Sequence, residues 1–116
     1  MLIGDAAAAS DPCFGGGLSL TLQDVRVLRD HLLANSDWDT AANAYARDHD
    51  RYYGAWRRLT GWRRDLFYEV GREADARRAR AFPLLTKEPQ RQPDLPALGP
   101  EAPSDEAARR RFFGED

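Results

Sequence analysis

Nine residues, Trp38, Ala42, Tyr45, His49, Tyr52, Trp56, Leu59, Trp62 and Leu66, recur at intervals of three or four along one stretch, and this run constrains the chain more than any other feature. Such spacing places side chains on one face of a helix. A face this aromatic has to be buried. The run predicts one long helix, or two that break near Gly61. Ser36-Asp37-Trp38-Asp39 at its start matches a capping box, in which a hydroxyl and a later carboxylate each satisfy an orphan backbone N–H. Upstream, Leu18, Leu22, Val25, Leu28 and Leu32 keep the same spacing and predict an earlier helix. Gly71 punctuates before a third helical stretch, Glu73 to about Ala81, ended by Pro83. Nothing alternates with period two, and Ile3 is the only isoleucine, so no sheet is encoded. Met1-Leu2-Ile3, running into Gly4-Asp5, reads as a strand remnant whose partners lie elsewhere. The expected fold class is mainly α: strand remnant, Gly-rich loop, three helices and a Pro-rich tail, the C-terminal part of a larger protein.

The 116 residues are at most one small domain, 42% hydrophobic and 31% charged, with a formal net charge of -2. No apolar run approaches a membrane span and no secretory leader is visible, which makes a cytoplasmic chain the default. Cys13 is a lone cysteine, most simply a small buried filler, and His31 and His49 are too far apart in sequence for a zinc-type ligand set. Asp48-His49-Asp50 resembles metal ligands, but consecutive helical residues point about 100° apart, so no metal is expected. Residues 51 to 80 carry nine arginines against four acids. Trp56 and Trp62, six residues apart, point about 120° from one another across the aromatic stripe, which spoils a stacking platform, so a solvated or acid-paired face is expected rather than nucleic-acid binding. Six of the seven prolines fall between Pro83 and Pro103, predicting an extended tail. Ser104 is placed to cap a short helix through Arg111, and Phe112-Phe113 to anchor it. The chain thus divides into segments 1–35, 36–82 and 83–116.

The chemistry concentrates in Gly4 to Leu18. Asp5, beyond the apolar start, is an acceptor-only group suited to sugar-type hydroxyls. Four alanines leave room for a flat ligand, Pro12 fixes a turn, and Gly15, Gly16 and Gly17 allow N–H groups to converge before a helix begins near Leu18. That helix terminus carries roughly half a positive charge and favours a carbonyl oxygen that becomes negative on reduction.

This segment resembles the second flavin-contacting motif of FAD-dependent monooxygenases of the aromatic-hydroxylase type, a Gly-Asp-Ala-Ala, a short spacer, Pro-x-x-Gly-x-Gly, and a helix containing an Asp followed by apolar residues. The matching residues are Gly4, Asp5, Ala6, Ala7, Pro12, Gly15, Gly17 and Asp24, with Leu28 and Leu32 on the helix; the likeness covers residues 2 to 33. It implies a parent α/β FAD-binding fold, FAD as cofactor, NAD(P)H as reductant, and O2 chemistry on a small organic substrate. It also implies that Gly4, Asp5, Ala6, Pro12, Gly15, Gly16, Gly17 and Leu18 contact the cofactor, Asp5 accepting from the ribityl chain, Pro12 lining the ring, and the glycine N–H groups facing the pyrimidine carbonyl side. Ala8 stands where many members have histidine, and Ser10-Asp11 puts a carboxylate just before the proline. The family's N-terminal Gly-x-Gly-x-x-Gly turn and its acidic partner are absent, so the AMP half of FAD has no site here. The chain alone is therefore expected to be inactive unless the missing N-terminal FAD-binding portion is supplied.

Halogenases and flavin reductases carry similar loops and remain alternatives within flavoenzymes. A small helical interaction module, whose aromatic stripe packs on a partner or on a second copy, is the alternative from another class. Asp24 reads as structural, paired with backbone or an arginine, and His49 as a satisfied core histidine.

Overall fold

The computed structural model describes residues 1–116 and is all-helical. Its elements are α1 (Gly17–Ala34), α2 (Trp38–Phe67), α3 (Arg72–Lys87), α4 (Leu95–Leu98) and α5 (Glu106–Phe113), with short 3-10 turns at Gly4–Ala6, Pro12–Phe14, Pro89–Arg91 and Gly99–Glu101. The mainly α expectation holds: the three main helices and the short terminal helix are present, and α4 is added to them. Met1-Leu2-Ile3 is not a strand: Ile3 has extended dihedrals, no strand pairs with it, and Gly4 turns the chain directly into a 3-10 turn. No helix is long and apolar enough to cross a membrane.

Helix α2 is one unbroken helix through Gly61. Its N-terminus is capped by Asp37, which accepts the Thr40 N–H at 3.0 Å, and not by Ser36. The hydroxyl of Thr40 donates to the same carboxylate and, as the larger effect, helps hold the Asp37 pKa below the usual carboxylate value. The aromatic stripe is buried at Tyr45, Tyr52, Trp56, Leu59, Trp62 and Leu66. Trp38 is the exception, 77% exposed in the first turn, and the buried face starts at Ala41. Because these rings are already covered within the chain, the stripe is not the free docking face that the interaction-module alternative requires.

The chain forms two compact units, Met1–Gly54 and Ala55–Asp116, with the division inside α2. In the first unit, α1 pairs antiparallel with the N-terminal half of α2: Asp24 meets Tyr52, and seven residues further along α1, His31 Nε2 lies 2.8 Å from Asp48 Oδ2. The predicted apolar stripe of α1 does not face inward. Leu18 is 74% and Leu22 62% exposed, and Val25 and Leu32 are exposed as well, while Leu20 and Asp24 face the core.

In the second unit, α3 extends past Pro83 to Lys87, contrary to the expected stop. Pro83 costs the helix one N–H···O=C bond, but buried Ala81 and the Phe82 ring, stacked on Phe67 with centroids 5.8 Å apart, add packing just before it, and Leu84, close to Gly114, just after it. Arginines of α3 close the C-terminus of α2, where helix carbonyls lack partners. Arg77 Nη1 donates to Asp65 O at 2.8 Å, and Arg78 Nη1 to Leu66 O at 3.3 Å and Glu69 O at 2.7 Å. The Pro-rich stretch is folded rather than extended, carrying two of the 3-10 turns and α4. Asp105, not Ser104, caps α5 by accepting the Ala108 N–H at 2.8 Å. Phe112 and Phe113 are buried as expected. Phe112 stacks on Trp62, and Phe113 lies under the guanidinium groups of Arg77 and Arg109 at 5.5 and 5.6 Å.

Candidate functional site: the loop at the N-terminus of helix α1

The segment before α1 has little regular structure, so its shape has to come from side chains of the helices, and three supply it. Asp24, 2% exposed, accepts the Gly4 N–H at 2.7 Å through Oδ2 and the Tyr52 hydroxyl through Oδ1. Tyr45 donates its hydroxyl to Leu2 O at 3.2 Å, and Tyr53 donates to Ala9 O. The backbone of residues 2, 4 and 9 is thereby tied to α1 and α2. Burial, reinforced by the Asp24 charge, pushes the Tyr45 phenol up to about 12, and burial with the Asp24 hydrogen bond pushes Tyr52 up in the same direction. Gly4 is fixed twice over: its φ is +60°, and a Cβ there would stand 2.8 Å from Thr21 Oγ1.

Asp5 is exposed, Ala6 is exposed, and both lie in the turn that Gly4 opens. The far end of the loop is a second turn. Asp11 accepts the Cys13 N–H at 2.9 Å, Pro12 opens the turn, and Gly15, with φ +65°, closes it by donating to Pro12 O at 3.1 Å. The carboxylate before the proline is thus the turn's cap. Cys13 is exposed rather than a buried filler. The Asp11 side chain, by hydrogen bond and charge, raises the Cys13 thiol pKa, which lowers its thiolate fraction.

Gly16 is buried and precedes α1, Gly17 opens the helix, and Leu18 projects outward. The first helical N–H to find a backbone acceptor is that of Leu20, which donates to Gly16 O at 2.9 Å. The N–H groups of Gly17, Leu18 and Ser19 therefore form the donor-rich end of α1. The two halves of the loop meet there: a Cβ on Gly17 would lie 3.2 Å from Ser10 Oγ and 3.9 Å from Asp5 Oδ1. Asp5, Ser10 and Gly17 are brought together, whereas Pro12 and Gly15 form a separate exposed turn. The N–H groups of Gly4 and Gly15 are spent on Asp24 and Pro12, so any donors to a ligand come from Gly16 and the first turn of α1.

The enclosed space behind this surface, bounded among others by Asp5, Ala8, Ser10, Gly17, Asp24 and His49, is about 10 Å³, enough for one water. A flavin ring does not fit inside it. What could face a flavin is an exposed surface of Asp5, Ser10 and the N-terminus of α1 at Gly17, with the Pro12 turn standing apart from it.

Asp24 has the structural part expected of it, with the Gly4 backbone as one partner and the Tyr52 hydroxyl, which the pattern does not signal, as the other. The tyrosine hydroxyls that hold the loop carry no sequence signal, because periodicity reports which face a ring is on and not where its oxygen reaches. His49 stacks on Tyr53, ring planes 13° apart, and its Nε2 lies 4.0 Å from Asp24 Oδ1. Asp48 faces His31, while the exposed Asp50 carboxylate lies 3.6 Å from His49 Nδ1, so the two carboxylates of the triplet serve different histidines. Compared with known proteins, the chain matches no family model, no curated protein and no solved structure.

Proposed function

We propose that the chain is the C-terminal, flavin-contacting portion of an FAD-dependent monooxygenase that uses NAD(P)H and O2 on a small organic substrate. The observation that carries this reading is the meeting of Asp5 and Ser10 with Gly17 at the N-terminus of α1, in a loop held by buried Asp24. An acceptor beside a donor-rich helix end is the pairing that a ribityl hydroxyl and a pyrimidine carbonyl call for. FAD, when bound, supplies the oxygen chemistry. The chain's own residues bind and orient: Asp5 accepts from the ribityl chain, Pro12 and Leu18 flank the ring, and the N–H groups of Gly16, Gly17 and Leu18 stabilise negative charge on the pyrimidine side. Gly4, Ala6 and Gly15 act through the backbone shape that permits this.

A second observation supports a missing partner portion. Leu18, Leu22, Val25 and Leu32 form an exposed apolar face on α1, and the sequence has no pyrophosphate-binding Gly-x-Gly-x-x-Gly turn. An N-terminal FAD-binding portion covering that face supplies both the AMP site and the second wall. The chain by itself is then inactive. A halogenase or flavin reductase would use the same contacts, so the cofactor is the firmer part of the proposal. In the protein complete with that portion, Asp5→Ala lowers FAD content strongly at unchanged expression. Undiminished flavin stoichiometry in the variant removes Asp5 from the site.

A further inference from the structure

The proline-rich connection and α5 enclose, with the C-terminal half of α2, a groove of about 690 Å³ in the second unit. That volume is within the roughly 300–1,000 Å³ of small-molecule sites. Its walls include Pro96 and Leu98, and Leu98 is left exposed to it. Proline backbone is stiff, so these walls are preorganised.

Four charged residues line the groove: Arg63 of α2, Arg91, Asp94 and Arg111 of α5. Two of them are occupied. Arg91 is ion-paired to Glu88 at 2.9 Å and to Asp116 at 2.7 Å, and it donates to Arg111 O at 3.2 Å. Asp94 caps α4 by accepting the Ala97 N–H at 3.1 Å. Arg63 makes no hydrogen bond or ion pair, and Arg111 makes no salt bridge. Arg63 has no acid three or four residues away on its helix, so local pairing does not explain it. Most other arginines of the unit are held: Arg64 by Asp65, Arg77 by Glu69, Arg78 by Asp75, Arg80 and Arg109 by Glu115.

We infer that this groove binds a small organic anion, a phosphate or carboxylate on an apolar body. Arg63 and Arg111, 48 positions apart in sequence and neither in an ion pair, line one preformed groove with an apolar wall, although the Arg111 charge also acts on Asp116. Guanidinium forks match the planar geometry of carboxylate and phosphate oxygens. Arg63 and Arg111 hold the anionic head, and Pro96 and Leu98 cover the body. The site is separate from the loop before α1 and does not depend on the flavin reading.

The probe is 1-naphthyl phosphate, titrated into the full chain with residue-resolved amide shifts, and 1-naphthol is its uncharged counterpart. Expected are saturable binding with shifts in Gln90 to Leu98, weaker binding of 1-naphthol, and loss of about tenfold or more in affinity in Arg63→Gln/Arg111→Gln. Both side chains are partly or fully exposed, so the double variant keeps its melting temperature. Asp5→Ala leaves this binding unchanged, which separates the groove from the flavin loop. The inference is overturned if no saturable binding occurs up to millimolar probe, if the double variant binds equally well, or if the shifts map to α1 instead.

Discussion

Replacing Asp24 by alanine tests the physical core of the site. Its two carboxylate oxygens accept the Gly4 N–H and the Tyr52 hydroxyl in a place that is 2% exposed. The substitution orphans both donors, at about 1–3 kcal/mol each. The neighbouring cavity of about 10 Å³ can admit one water to satisfy part of the loss. A destabilisation of about 3 kcal/mol is the result, a large share of the ~5–15 kcal/mol typical of a domain. With a urea slope of ~1.5 kcal/mol/M, the midpoint falls by about 2 M at unchanged slope. Tyr52→Phe alone removes one donor and costs about 1–2 kcal/mol. Because the residues share a hydrogen bond, the double variant is less destabilised than the sum of the two by about 1 kcal/mol or more. Urea unfolding followed by tryptophan emission gives the free energies, and amide exchange at Gly4 to Ala8 gives the local effect. A loss below about 0.5 kcal/mol, the range of ordinary surface changes, with protection at Gly4 retained, refutes the view that Asp24 holds the loop.

Three further outcomes follow from the same structure. Pro83→Ala restores an N–H to the middle of α3 and raises stability by about 1–3 kcal/mol in thermal melts; a drop in melting temperature contradicts the packing account of that helix. Arg78→Ala strips a donor from Leu66 O and Glu69 O at the end of α2 and costs about 1 kcal/mol by chemical denaturation, and no change means water serves those carbonyls equally well. The Tyr45 and Tyr52 phenols have higher pKa values folded than unfolded, so the stability they contribute is full below about pH 10 and declines as pH rises above it, for Tyr45 through about 12. A urea midpoint that stays flat over that alkaline range, with Tyr52→Phe as reference, contradicts the burial of these hydroxyls beside a carboxylate.

The helices could be read because their signals are local. The stripe from Tyr45 to Leu66 is buried as its period demands, and Phe112-Phe113 anchors α5. A local rule fails where two neighbours offer the same chemistry or where tertiary contacts outweigh it. Ser36 and Asp37 both suit a cap, as do Ser104 and Asp105, and in each case the carboxylate one residue nearer the helix took the part. Pro83 should stop a helix, yet Phe82 on Phe67 and Leu84 close to Gly114 hold the turns around it. The apolar face of α1 was visible as a pattern, but its exposure was not, since a pattern tells which residues share a face and not whether anything lies against it. In the loop, Pro12 signals the turn that Gly15 closes, whereas a 3-10 turn at Gly4 stands where a strand end is expected. The ties from Tyr45 and Tyr53, more than 40 residues away in sequence, carry no local signal.

The most direct test of the flavin-contacting assignment is a titration of the isotopically labelled chain with FAD, followed amide by amide. The account predicts saturable shifts at Asp5 and at Gly16 to Ser19, weak because the AMP half lacks a site, and their loss in Asp5→Ala. Silence of residues 4 to 18 at millimolar FAD, or shifts that persist unaltered in Asp5→Ala, contradicts it.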